Sequence, residues 1–205
     1  MTDRLAAYRD DGPLTRLAVD RVGLPVSELP LTIGATAALV AGLAADGTTT
    51  GTPSVVGIAT LVLAGGLAGA ARHRSRAGWL VPPLLRAGEY GAIAVLAHRA
   101  GQPAQMLAYV LLAVVAFHHY DIVYRLRHQG IAPPRIITAL GAGWDGRTLL
   151  VLVATLMDVL TQALAGLAVW CCLLFLSESL RSWSMFARDA TGRSAVGLDA
   201  GEGAI

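Results

Sequence analysis

The chain has 205 residues, 55% hydrophobic and 15% charged, with a mean hydropathy of +0.58. That is too apolar for a water-soluble domain and long enough for several membrane spans, so one all-α, polytopic integral membrane helical bundle is expected. A formal charge of +2 excludes a strongly basic nucleic-acid surface. All sixteen basic residues are Arg, which together with 23 Gly fits a high-GC bacterial source.

Residues 1–29 mix Arg4, Arg9, Arg16 and Arg21 with Asp3, Asp10, Asp11 and Asp20 ahead of any apolar run, so no cleavable signal peptide is expected. After Gly12-Pro13, the residues Leu14, Leu17, Ala18 and Val22 recur at helical spacing. This suits a short amphipathic helix on the membrane surface, with a solvated tail as the ordinary alternative. A first span is expected from Leu31 to Ala45, just after Pro30, and a polar turn over 46–52 closes it. A second runs from Pro53 to Ala71 and stops at Arg72-His73-Arg74-Ser75-Arg76; its Gly65, Gly66 and Gly69 would let helices approach closely.

The third span begins near Pro82-Pro83, carries Arg86, Glu89 and Tyr90 in its first turns, and ends around His98-Arg99. The fourth begins near Met106 and ends in Phe117-His118-His119-Tyr120-Asp121-Ile122-Val123-Tyr124-Arg125-Leu126-Arg127. So many ionisable groups at membrane depth are costly unless they face protein or a wet cavity, which points to a functional pocket. His118, Asp121 and Arg125 fall at i, i+3 and i+7 on one helix face, and Tyr120 and Tyr124 form a neighbouring stripe.

A Pro/Gly-rich connector follows from Gln129 to Gly146, and then an apolar run from Thr148 to Leu180. As one helix of about 33 residues it would measure roughly 50 Å, well beyond a hydrocarbon core of about 30 Å. A break between Asp158 and Gly166 is therefore expected, giving six spans, with one long tilted helix and five spans as the alternative. Cys171 and Cys172 lie adjacent in this run and read as buried thiols. The stretch 184–205 is polar and Gly-rich and is expected to be disordered. The organisation is thus a cytoplasmic N-terminal segment (1–29), a transmembrane domain (30–183) and a cytoplasmic tail (184–205).

With six spans and both termini inside, fifteen of the sixteen Arg residues face the cytoplasm and only Arg99 lies outside. That positive-inside bias places the chain in a plasma membrane, with Trp79, Trp144 and Trp183 as a cytoplasmic aromatic belt. The same topology gathers Arg72, His73, Arg74, Arg86, Glu89, Tyr90, His118 to Arg127, Asp145, Arg147, Glu178 and Arg181 into one cytoplasmic layer. Its chemistry suits a phosphate or diphosphate headgroup. Arg86, Arg125 and Arg147 would clamp phosphate, and Tyr90 and Tyr124 would orient it. Glu89, Asp121 and Asp145 would hold Mg²⁺ or another divalent cation, with Glu89 or Asp121 as base and His118 or His119 moving protons. The ordinary alternatives are helix-surface ion pairs for Asp121–Arg125, Arg86–Glu89 and Glu178–Arg181, and a purely topological role for Arg72 to Arg76.

Four blocks carry a family resemblance: Tyr8-Arg9-Asp10-Asp11-Gly12-Pro13-Leu14, Leu85-Arg86-Ala87-Gly88-Glu89-Tyr90-Gly91, His118 to Arg125, and Gly143-Trp144-Asp145-Gly146-Arg147-Thr148-Leu149-Leu150. Together they resemble an actinobacterial membrane domain of unknown function often found C-terminal to nucleotidyltransferase and CDP-alcohol phosphatidyltransferase modules. The resemblance implies a setting in polar-headgroup lipid metabolism and carries no activity of its own. The phosphatidyltransferase motif itself is absent: Asp145-Gly146 has Ala at 142 and Leu-Leu at 149 and 150, and no downstream Asp pair follows. The functional expectation is an enzyme, a phospho- or prenyl-group transferase or a lyase, acting on a membrane lipid or isoprenoid diphosphate at the cytoplasmic face. The alternatives are an isoprenoid-diphosphate transferase or cyclase of natural-product biosynthesis, and a non-catalytic lipid-binding partner of a membrane synthase, in either case with homo-oligomerisation open. A transporter ranks last, because the polar residues crowd one interface instead of lining a path.

Overall fold

A computed structural model describes residues 8–47, 50–73 and 75–199, with the backbone alone at 72–73 and 189–199. Arg4, Arg74 and the side chains of Arg72, His73 and Arg193, all counted in the expected topology, therefore lie outside the described residues. In chain order the elements are α1 (Pro13–Arg21), β1 (Leu24–Ser27), α2 (Glu28–Ala45), α3 (Thr52–Gly69) and β2 (Ala71–His73). A 3₁₀ turn (Gly78–Leu80) then leads into α4 (Val81–Ala100), followed by α5 (Gln102–His128), α6 (Arg135–Leu140), α7 (Gly143–Leu156) and α8 (Leu160–Asp199).

Six segments are long and apolar enough to cross a membrane: α2, α3, the turn with α4, α5, α6 with α7, and α8 as far as Arg188. Local sequence explains where they begin. Proline occupies the first helical positions of α1, α3, α4 and α5, where its missing N–H costs nothing and its fixed φ is already helical. The same tolerance lets α2 start at Glu28, ahead of Pro30, three residues earlier than the expected Leu31. His98 and Arg99 in the last turn of α4 complement its dipole, and Gly101 at φ 104 turns the chain into α5.

Two differences from expectation concern the fifth and sixth spans. The break falls at Met157 to Val159, at the near edge of the expected window, with Asp158 in the left-handed region at φ 58. Part of the expected Gln129 to Gly146 connector also belongs to the fifth span. Pro134 stands at the N-cap of α6, and Arg135–Leu140 joins α7 to make a span of 22 residues. The backbone of α8 remains helical through Asp199, where disorder was expected from Ser184 onward. Extending an existing helix adds one hydrogen bond per ordered residue, and Ser184 to Asp199 contains no Pro to stop it.

Helix α4 contacts α2, α3, α5, α7 and α8 and so runs through the centre of the bundle. Small residues set the closest approaches. A Cβ on Gly42 would lie 2.2 Å from the Pro53 carbonyl oxygen, and one on Gly57 would lie 2.8 Å from that of Ala38, so α2 and α3 meet backbone to backbone. Gly65 makes room for a side chain instead: its Cβ would fall 2.8 Å from the Trp144 ring. Trp144 is accordingly 0% exposed and forms part of the core, not of the interfacial belt expected for it, while Trp79 and Trp183 do lie at the surface. Adjacent helical positions diverge at the cysteines, leaving Cys171 buried but Cys172 partly exposed, both free.

At the end of the bundle formed by the α2–α3 and α4–α5 turns, the polar groups are spent on the loops. The Asp46 carboxylate accepts from the amides of Gly51 (2.7 Å) and Ser54 (2.9 Å), and Arg99 donates to the Ser54 hydroxyl (2.8 Å) and the Leu43 carbonyl. The opposite end is closed differently. There α1 packs on α3 and α7, and β1 pairs in parallel with β2. Ahead of α1, the strap Tyr8 to Gly12 enters the polar layer between the helices.

Candidate anion-binding site

The strap carries the residue on which the layer converges. Asp10 is 2% exposed and sits in the left-handed region at φ 53, which aims its side chain inward. Its Oδ2 accepts from Arg147 Nη2 at 2.9 Å and from His119 Nε2 at 3.2 Å, while His118 Nε2 stands 3.9 Å from Oδ1. Because His119 Nε2 donates to a carboxylate, its Nδ1 is the acceptor for the Tyr90 hydroxyl at 2.7 Å. The result is a Tyr90–His119–Asp10 hydrogen-bond chain across α4, α5 and the strap. His118 is held in place by a stacked contact with Phe175 of α8, ring centroids 3.7 Å apart.

Arg147, at the first turns of α7, is bonded through all three of its nitrogens: Nε to Glu89 Oε1 at 2.6 Å, Nη1 to the Gly141 carbonyl at 3.0 Å, and Nη2 to Asp10. Arg86 donates through Nη2 to the carbonyl of Tyr8, so it holds the strap two residues from Asp10. The strap is seated against the start of α7. The Trp144 amide donates to the Asp10 carbonyl at 3.1 Å, the Trp144 indole donates to Asp11 Oδ1 at 3.3 Å, and the Thr15 amide donates to Asp145 Oδ2 at 2.7 Å. Two glycines permit this contact. A Cβ on Gly12 would lie 2.0 Å from Asp145 Oδ1 and 2.2 Å from the Ala142 carbonyl, and Gly143, at φ 59, has its missing Cβ 2.3 Å from Gly12. Arg9 completes the strap, bonding Asp11 at 3.1 Å and the Gly65 carbonyl at 3.4 Å.

The strap's two carboxyls are shifted in opposite directions. Burial alone would raise that of Asp10, but the Arg147 guanidinium, the neighbouring His118 and the hydrogen bond of His119 hold it well below the usual carboxylate range. Burial raises Asp11, and the nearby Arg9 only partly offsets it.

A second cluster lies further along α5. Arg125 makes a bidentate pair with Glu178 of α8, at 2.6 and 2.8 Å, and bonds Asp121 one turn back on its own helix at 2.9 Å. Beyond it, Tyr124 packs its ring against His128 (4.5 Å between centroids), Trp183 (5.5 Å) and Tyr120 (6.2 Å) near the surface.

The face of α5 is therefore as its spacing implies, with His118, Asp121 and Arg125 all buried, but it serves two clusters instead of one pocket. His118, His119, Glu89, Tyr90 and Arg147 come together around Asp10, with Arg86 holding the strap and Asp145 holding the first turn of α1 behind it; Asp121, Arg125 and Tyr124 do not join them. Of the three arginines expected to clamp phosphate, Arg125 and Arg147 have their charge matched by carboxylates, whereas Arg86 is bonded to a carbonyl; Arg86 and Arg125 each retain a buried Nε with no partner. The expected i, i+4 pair Asp121–Arg125 forms, but Glu89 pairs with Arg147 and Glu178 with Arg125, not with their i, i+3 neighbours. Glu89, Asp121 and Asp145 are taken respectively by Arg147, Arg125 and the Thr15 amide. No group of three or more His, Cys, Asp or Glu among the described residues is spaced to hold a metal ion. Asp10 was missed as a site residue because a charged pre-helical segment reads as solvated; the one signal was its place in the Tyr8 to Leu14 block.

No curated protein and no solved structure matches the chain. The sequence pattern of a family of unknown function, DUF5941, matches residues 1–204, and the chain belongs to that family.

Proposed function

We propose that this protein is a membrane-embedded module that recognises a phosphate-bearing lipid headgroup at the Arg-rich, cytoplasmic face of a bacterial plasma membrane and serves a lipid-phosphate synthase as its partner. The observation that carries this reading is the convergence of His118 and His119 of α5 and Arg147 of α7 on one buried anionic group, with Arg86 of α4 holding the segment that bears it. Cationic and neutral-donor side chains from two spanning helices around the Asp10 carboxylate, with Arg86 of a third beside them, form the kind of recognition set a phosphate requires. The expected carboxylate layer is turned toward cations and amides, so the proposal assigns recognition to Arg and His and leaves transfer chemistry to the partner. The resemblance to domains fused to nucleotidyltransferase and CDP-alcohol phosphatidyltransferase modules supports the partnership. α1 also leaves Leu14, Leu17 and Val19 exposed, as a helix resting at the headgroup boundary would.

One observation favours a second, enzymatic reading, group transfer on a lipid or isoprenoid diphosphate. The Tyr90–His119–Asp10 chain has the form of a general acid–base relay, ending in a hydroxyl on a half-buried Tyr. Native mass spectrometry of the detergent-extracted protein tests the first reading. A co-purified phosphate-bearing lipid should be present in wild type, depleted in Arg86→Gln and retained in Asp121→Asn. Identical lipid content in all three proteins would contradict it. Turnover that is lost in Tyr90→Phe with lipid binding intact would establish the enzymatic reading instead.

A further inference from the structure

We infer that the site lined by Arg86, His118, His119 and Arg147 is a phosphoanion site whose occupant in this structure is the chain's own Asp10, and that the strap Tyr8 to Gly12 must withdraw before a headgroup enters. The inference rests on the reading of these side chains as a headgroup-recognition set, and adds what fills the site and what opens it.

Three features of the contact support it. The first is that Asp10 fits the site incompletely. Its Oδ1, His118 Nε2 and Arg86 Nε are all buried and without a hydrogen-bond partner, although Oδ1 and His118 Nε2 are only 3.9 Å apart. A planar carboxylate on a tethered backbone satisfies Arg147 and His119 and leaves the other two donors unmatched. A tetrahedral phosphate presents three or four acceptor oxygens to the same surroundings. Arg125 Nε is also buried without a partner, but among the described residues only around Asp10 do an unmatched carboxylate oxygen and an unmatched imidazole nitrogen stand side by side, and a larger anion would account for both.

The second feature is conformational. Asp10 (φ 53) and Ala142 (φ 62) both hold left-handed backbone although neither is Gly, and they flank the seam where Gly12 meets Gly143. Strain of this kind persists where the surroundings over-determine it, and it marks clamps and switches. The third feature is the kind of bond that holds the strap. Arg86 to the Tyr8 carbonyl and the Trp144 amide to the Asp10 carbonyl are polar contacts that water or headgroup oxygens replace one for one.

The exchange also preserves charge balance. Arg147 is fully buried, and stripping it of Asp10 alone would leave part of a cation uncompensated. Replacing Asp10 by another anion avoids that penalty. The ligand must therefore bring an anionic phosphate, and a phosphomonoester headgroup supplies one without adding a cation beside Arg147.

The test uses the full chain in nanodiscs containing phosphatidic acid, with phosphatidylcholine nanodiscs as the reference and inorganic phosphate as a soluble probe. Hydrogen exchange of the Trp144 amide, which is bonded to the strap, reports release, and binding is compared between wild type and Asp10→Asn. The expected result is faster Trp144 exchange with phosphatidic acid than with phosphatidylcholine, and affinity for phosphatidic acid about tenfold higher in Asp10→Asn, the scale of one charge-assisted hydrogen bond. The same response to inorganic phosphate would identify a soluble phosphoanion as ligand; a response to phosphatidic acid alone would identify a lipid headgroup. Phosphatidic acid that binds with Trp144 exchange unchanged overturns the strap while leaving the headgroup reading standing. Absence of binding to either probe, in wild type and variant alike, overturns both. The wild-type exchange measurement decides the matter even if Asp10→Asn does not fold.

Discussion

Helix α5 carries two buried charge clusters built on opposite plans. Around Arg125, both counter-charges belong to spanning helices, Asp121 on α5 itself and Glu178 on α8, so the cluster forms when the bundle forms. Around Arg147, one counter-charge is Glu89 of α4 and the other, Asp10, arrives on a strap outside the spans. The first cluster ties α5 to α8. The second has a helix-borne half that is fixed and a tethered half that can leave. Proximity in sequence hides this difference, since His119 and Asp121 are two residues apart and serve different clusters.

Four predictions test that contrast, in falling order of effect. Arg125→Ala leaves Asp121 and Glu178 buried without a cation and should cost about 3–5 kcal/mol, read as a lower unfolding midpoint in detergent. Lipid binding by the folded fraction should not change. Gly12→Ala places a Cβ within 2.2 Å of the Ala142 carbonyl and should unseat the strap. The expected loss is about 3 kcal/mol, the upper end for overpacking, together with faster exchange at Trp144. Asp10→Asn keeps the shape and removes the charge. It should cost about 2 kcal/mol, measured by the same midpoint, while raising rather than lowering affinity for an anionic lipid.

The smallest effect is one of pH. Asp11 has a folded value raised above its ordinary 3.8, so its contribution favours the docked strap below that value and is lost as pH rises through the raised one. Asp10, whose value is depressed, contributes above the ordinary carboxylate range and loses that only as pH falls through its depressed value. Trp144 protection, corrected for intrinsic exchange, should therefore weaken as pH rises from 3.8 through the raised value of Asp11. Asp11→Asn should flatten that dependence; an unchanged slope would show that Asp11 does not govern docking.

The six spans were legible because apolar length, proline punctuation and the distribution of Arg all describe the same bundle. The buried face of α5 was legible from spacing alone. Three things were not. Arg135–Leu140 follows two prolines and looks like a connector, although Pro134 at the N-cap of α6 starts a helix there. Trp144 looks interfacial by its place after Gly143, and only the gap at Gly65 on a distant helix lets it sink into the core. Asp10 stands among alternating Arg and Asp residues and has the composition of a solvated tail. Its burial depends on Gly12 meeting Gly143 and on Arg147 waiting 137 positions away, which no local pattern reveals. For the same reason the three expected arginine clamps looked alike in sequence. Whether a guanidinium is free or already paired is decided by partners on other helices.

The most direct measurement is the affinity for phosphatidic acid of Asp10→Asn beside Asp121→Asn, each against wild type in the same nanodiscs. If Asp10 occupies the anion site, affinity rises in Asp10→Asn and stays at the wild-type level in Asp121→Asn. Equal affinities in all three proteins, or the same change in both variants, would contradict the account and leave the Asp10 cluster as fixed a part of the bundle as that of Arg125.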